Sequence, residues 1–98
     1  RDGVEVITVP HQEKLNVAWP VLLKNVIPTF IGKDARRIEP LLWDVYRAQS
    51  NYKLQGLVFW VAVAAVEMAL LELLAQTAKR PLADFFGGTL RRDIAVYY

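Results

Sequence analysis

Ninety-eight residues make at most one domain, near the small end of the size at which a single hydrophobic core is self-sufficient. Twelve basic against ten acidic residues leave a formal charge of +2, too small a surplus for a nucleic-acid surface, and the basic pairs Arg36-Arg37, Lys79-Arg80 and Arg91-Arg92 are scattered without aromatics between them. The absence of cysteine excludes disulfides, thiolate chemistry and cysteine metal sites, and it fits a cytoplasmic protein.

Asp2-Gly3 is a turn signal, and residues 4–9 are rich in β-branched side chains and read as an edge strand ended by Pro10. Residues 11–16 are polar and read as a loop. A short helix is expected over residues 17–26, with Pro20 in its first turn and Pro28 closing it. Gly32 marks the next break, and Asp34 is the expected N-cap of a second helix reaching about Gln49. Its buried stripe is Ile38, Leu41, Leu42, Val45 and Tyr46, which recur at 3.6-residue spacing, while Pro40 should kink its first turns. Residues 50–53 read as a loop.

The third helix, residues 57–79, contains no proline and is the most informative element. Glu72, Gln76 and Lys79 lie on one stripe of its second half. Followed backward, that stripe runs through Met68, Ala65, Val61 and Val58 without a polar residue, so the first half is apolar on every side and needs cover all round. Only ten uncharged residues precede Glu67, fewer than the roughly 20 a bilayer demands, so a membrane span is not expected. Three further short elements cannot wrap such a rod, and a missing partner is the cheaper explanation. Pro81 opens a short helix, residues 81–86, stopped by Gly87-Gly88; residues 94–98 read as a last strand that enters an absent α/β domain. Arg1 at one end and the strand at Tyr98 at the other make both ends read as cut.

Few residues invite a chemical role. His11 could be a base, a ligand or a substrate contact, although a lone histidine with no nearby cysteine or acid cluster more often belongs to a plain loop. Glu67 and Glu72 are five residues apart, about 140° around a helix, and cannot converge on one substrate atom. Glu67 has apolar neighbours at helical spacing, Val63, Ala64, Leu71 and Leu74, so it is expected to be a structural acid paired with Arg36, Arg37 or Arg47. Gly87-Gly88 lacks the lysine and spacing of a phosphate loop. Trp19, Trp43, Trp60, Phe85 and Phe86 are expected to fill core or interface. No nucleophile elbow, metal triad or dinucleotide fingerprint occurs, so no catalytic residue and no metal ligand is assigned.

Four segments in order carry a family resemblance over about two-thirds of the chain. Phe30-Ile31-Gly32-Lys33-Asp34 is similar to a hydrophobic-Ile-Gly-Lys/Arg-Asp turn. The run from Ala62 to Leu74, AVAAVEMALLELL, is similar to an A-x-x-A-[IV]-[DE]-x-A-L-[WL]-D-L helix. Arg80 to Gly88 is similar to x-P-[VL]-x-x-L-L-G-G, and Arg92 to Tyr97 to the lead into a first barrel strand. Together they resemble the cap-to-barrel segment of the mandelate racemase/muconate lactonising group of the enolase superfamily. Departures are Glu72 where the helix usually has Asp, Ala75-Gln76 in place of Gly-Lys, and Val6 and Thr8 in place of the glycines after the Asp-Gly hairpin.

The resemblance implies an α+β fold: a mainly helical cap fragment with one edge strand, three main helices and a short helix over residues 1–88, then the first strand of a (β/α)7β barrel over 89–98. It implies a parent enzyme, a dehydratase, racemase or cycloisomerase, that removes the proton α to a substrate carboxylate with Mg²⁺ stabilising the enediolate. The bases and metal ligands would lie on later barrel strands, so this segment itself would bind no metal. Its partners would be the barrel of the same protein, a small carboxylate substrate and further copies in a homo-oligomer, with neither nucleic acid nor membrane. By position Pro10, His11 and Gln12 resemble one of the loops that close over the substrate and set specificity. A reading from another class is a non-catalytic helical interaction module that docks through the long helix; a membrane-surface helix is disfavoured by the lack of a basic polar face.

Overall fold

In a computed structural model of the chain, residues 3–97 are described. Arg1, Asp2 and Tyr98, and with them half of the Asp2-Gly3 turn and the end of the last expected strand, lie outside the described residues. The order is α1 (Gln12–Val21), a π-helical segment (Leu22–Val26), α2 (Ile27–Phe30), a 3₁₀ turn (Ala35–Arg37), α3 (Ile38–Arg47), a kinked 3₁₀ connector (Ala48–Leu54), α4 (Leu57–Ala78) and a final 3₁₀ turn (Leu82–Phe86). α1 packs chiefly along α4, and α3 touches both α2 and α4. The core where they meet is Val26, Val45, Phe59, Ala62 and Val63.

The two expected strands are not formed: among the described residues, 4–9 and 94–97 have no strand assignment. A strand exists through hydrogen bonds to a neighbour, and neither stretch has one here, whatever its β propensity. The architecture of the described residues is therefore helical, not α+β.

The first helix begins at Gln12, five residues before the expected start, because His11 caps it. Pro20 consequently lies near its C-terminal end instead of in its first turn. Nor does Pro28 end the rod; it sits in the first turn of α2, beyond the π segment. That segment has a geometric purpose. Ala18 and Val26 are both fully buried, yet eight residues of α-helix would leave them about 80° apart. One turn widened by about a residue makes eight residues close to two turns and brings both to one face.

α3 buries Leu41 and Val45 and half-buries Ile38, Leu42 and Tyr46, the stripe expected from spacing. Pro40 does not kink it. Arg37 has non-helical angles (φ −95°, ψ 43°), so the α-helix starts afresh at Ile38 and Pro40 falls in its first turn, where a missing N–H costs nothing. Past α3, residues 50–53 are not an open loop but part of the 3₁₀ connector, in which Gln49 and Ser50 take left-handed angles.

α4 ends at Ala78. Lys79 turns left-handed (φ 54°), its N–H donates to the Gln76 carbonyl at 3.2 Å, and Arg80 N–H reaches Ala75 O at 3.1 Å. This is a Schellman stop with lysine in the place glycine prefers. In the first half of α4, Phe59, Ala62 and Val63 share one buried face, while Ala75 is buried near the other end, about 160° around the helix from Phe59. Leu57 is 64% exposed, Trp60 44% and Met68 50%. The rod that no side suits to water is thus left open by these helices. By length and composition α4 would suffice to cross a bilayer, which the count of uncharged residues missed. Glu67 and Glu72 interrupt its apolar run, and it packs on α1 and α3.

Candidate functional site

The turn into α1 holds the three residues singled out as a specificity loop. Pro10 is half-buried and ends the extended segment; His11 and Gln12 are exposed. His11 adopts extended angles (φ −64°, ψ 100°), its Nδ1 accepts from Lys14 N–H at 3.3 Å, and its carbonyl accepts from Leu15 N–H at 3.0 Å. With Nδ1 turned to the Lys14 N–H, Nε2 is the ring nitrogen left to meet a ligand, on an exposed ring at a helix N-terminus. Glu13 follows in the first turn, where a carboxylate suits the positive end of the helix. His11 is therefore a cap as well as a candidate contact, a role that its reading as a loop residue had missed.

A second polar cluster, invisible to the sequence reading, ties the far end of this rod to the connector after α3. Asn51 is fully buried. Its Nδ2 donates to the carbonyls of Val45 (2.7 Å) and Asn25 (2.9 Å), and its Oδ1 accepts from Asn25 Nδ2 at 3.1 Å. Gln49 Nε2 donates to the Lys24 carbonyl at 3.2 Å. Lys24 O is the acceptor that an α-helix would pair with the N–H of residue 28, and Pro28 has none. The signal was there: a proline inside a helical run frees a carbonyl that something must satisfy.

Asp34 caps the 3₁₀ turn, as expected of an N-cap, through Arg36 N–H at 3.0 Å. The Arg36 guanidinium also grips both carboxylate oxygens (Nη2 to Oδ2 2.6 Å), and this bonding, with the backbone N–H second, holds the Asp34 carboxyl at about 2, below its usual 3.8. Beside this turn an open groove of about 740 Å³ runs between Gly32, Lys33 and Arg36 on one side and Leu73, Leu74 and Thr77 of α4 on the other. A smaller recess of about 360 Å³ is walled by Trp43, Tyr46 and Trp60, with Tyr46 and Trp60 stacked at 5.9 Å.

Glu67 is half-buried on α4. The expected ion pair with an arginine is not formed among the described residues; Arg36 engages Asp34, and Arg47 lies over the Trp43 ring with its Nε on the Trp43 carbonyl. Glu72 accepts from Gln76 at 3.1 Å. The two acids share no site with His11, and among the described residues no three His, Asp or Glu side chains come together as a metal site. Mg²⁺ requires several hard oxygen ligands in octahedral array, which these residues do not fit.

The chain has relatives that put this helical unit in context. The family model for the mandelate racemase/muconate lactonizing enzyme N-terminal domain matches residues 4–87. A D-galactonate dehydratase family member from Marinomonas sp. is 38% identical over 97% of this chain. A D-mannonate dehydratase from Novosphingobium aromaticivorans is 40% identical and one from Caulobacter sp. 41%, each over the same share. The chain spans 23% of the length of each of these relatives. No solved structure matches it.

Proposed function

Because the chain belongs to the mandelate racemase/muconate lactonizing enzyme family, within the enolase superfamily, we propose that it is the capping portion of an acid-sugar dehydratase. Residues 1–88 form the cap and 89–98 lead into the barrel. The chemistry, removal of the proton α to the substrate carboxylate, belongs to residues outside this chain. Mg²⁺, where bound, is held there too and supplies the positive charge that an enediolate needs. What these 98 residues contribute is closure over the substrate, with Pro10, His11 and Gln12 as the specificity turn. Glu67 serves as a structural acid.

The observation that supports this reading best is the open apolar flank of α4. Leu57, Val58, Trp60 and Met68 are 64%, 41%, 44% and 50% exposed on this flank, and relatives some four times as long have the material to cover it. The barrel is that cover, with a second subunit sealing what remains in a homo-oligomer. The partner of the site is a small carboxylate, in the cytoplasm, with no nucleic acid or membrane involved.

The test is turnover by the full-length protein of D-mannonate and D-galactonate, the substrates in its relatives' names, read as appearance of a carbonyl product. Water loss from at least one acid sugar, abolished by chelator and restored by Mg²⁺, is expected. Racemisation without water loss, or binding of a protein partner without any turnover, would overturn the dehydratase reading.

A further inference from the structure

We infer that Asn51 and Gln49 are positioning residues for the His11 turn, acting through the π segment between α1 and α2; this rests on the reading of residues 10–12 as the specificity turn. The π segment decides how far α1 is rotated relative to α2, since it puts Ala18 and Val26 on one buried face. It survives because its carbonyls are satisfied from outside: Lys24 by Gln49, and Asn25 by Asn51. Both donors come from the connector, whose left-handed backbone at Gln49 (φ 53°) and Ser50 (φ 58°) lies between the two amides. Non-glycine residues seldom hold such angles unless the surroundings fix them, and here the fixing contacts are these hydrogen bonds.

The mechanical consequence is a lever. α1 is ten residues long, about 15 Å, with the π segment at one end and His11 at the other. Without the two amides the segment has reason to relax toward α geometry. A change of one residue in its winding turns α1 by about 100° against α2, or forces α1 to slide on α4 to keep Ala18 buried. Either movement displaces the Nε2 of His11 from whatever it faces. Asn51 touches no substrate in this scheme; it sets where the specificity turn stands.

The experiment compares Gln49→Ala, Asn51→Ala and Asn51→Asp with the parent sequence in the full-length enzyme. Two readouts are taken: amide hydrogen exchange over residues 12–21, and kinetics on two acid sugars that differ at the end remote from the carboxylate. Asn51→Asp keeps the shape but cannot donate, so it should behave like Asn51→Ala. Expected are faster exchange in 12–21 with residues 62–75 unchanged, KM raised about fivefold with kcat within about twofold, and an altered KM ratio between the two sugars. Unchanged KM in the folded variants, even with faster exchange, overturns the positioning role, as does equal loss of kcat for both sugars. Should Asn51→Ala not fold, the exposed Gln49→Ala decides by the same readouts. An enzyme that dehydrates no acid sugar sinks the functional reading instead, and exchange over residues 12–21 then judges the lock by itself.

Discussion

Gln49 Nε2 stands 3.2 Å from the Lys24 carbonyl, where the N–H of residue 28 would stand in an unbroken α-helix. Pro28 has removed that N–H, and a side chain from 25 residues further along the chain replaces it. The dependence of one on the other can be measured. Gln49→Ala should cost about 1 kcal/mol in the parent sequence and close to nothing when Pro28→Ala has restored the backbone donor. A double-mutant cycle by denaturant unfolding reads the coupling, and additive losses would mean that Gln49 does not serve the proline.

Asn51 is the buried counterpart of that exposed bond. Replacing it with alanine strands the Val45 carbonyl in the interior and leaves the half-buried Asn25 carbonyl and amide without their partner, which should cost about 1–3 kcal/mol. Asn51→Asp should cost at least as much, because a carboxylate has no hydrogen to give to two carbonyls. Chemical denaturation of the three proteins checks the order, and an Asp variant as stable as the parent would contradict the assigned bonds.

Lys79 holds a left-handed angle at the end of α4 with no glycine to ease it. Lys79→Gly should raise stability by about 0.5–1 kcal/mol, the relief of the Cβ clash less the extra freedom of glycine in the unfolded chain. Lys79→Val should do the opposite. Melting temperatures of the two variants should therefore move in opposite directions.

Asp34 gives the chain an acid-sensitive corner. Its carboxyl is lowered from 3.8 to about 2, so its support of the 3₁₀ turn is complete above pH 3.8 and is lost as the pH falls through about 2. A carboxyl-carbon NMR titration should place its midpoint near 2, and Arg36→Ala should raise it toward the ordinary value. The pair is exposed, and Asp34→Asn is expected to leave global stability at neutral pH little changed.

Much of this was legible in the residues. Helical spacing placed α3's buried stripe and α4's span to within a residue, and the order of short motifs placed the chain in its family. What failed depended on contacts that spacing does not carry. Residues 4–9 have the composition of a strand, but pairing makes a strand, and no neighbour is formed among the described residues. Pro20 and Pro28 were read as helix boundaries because a proline lacks its N–H. In the folded chain Pro20 lies near the C-terminal end of α1, and the Gln49 amide takes up the carbonyl that Pro28 leaves unpaired. Asn51 looked like one of several polar loop residues, since nothing local marks a side chain that bonds 26 residues back. His11 was recognised as a candidate but not as the cap that starts α1.

The flank of α4 bearing Leu57, Val58, Trp60 and Met68 is the surface proposed to be covered by the rest of the protein. That cover is tested most directly by oxidative footprinting of Trp60 and Met68, performed on the full-length protein and on the 98-residue chain. Strong protection of both side chains is expected in the full-length protein and ready modification in the short chain, which should also bind an apolar dye or self-associate. Equal reactivity in the two, with the short chain a monomer that binds no dye, would contradict it.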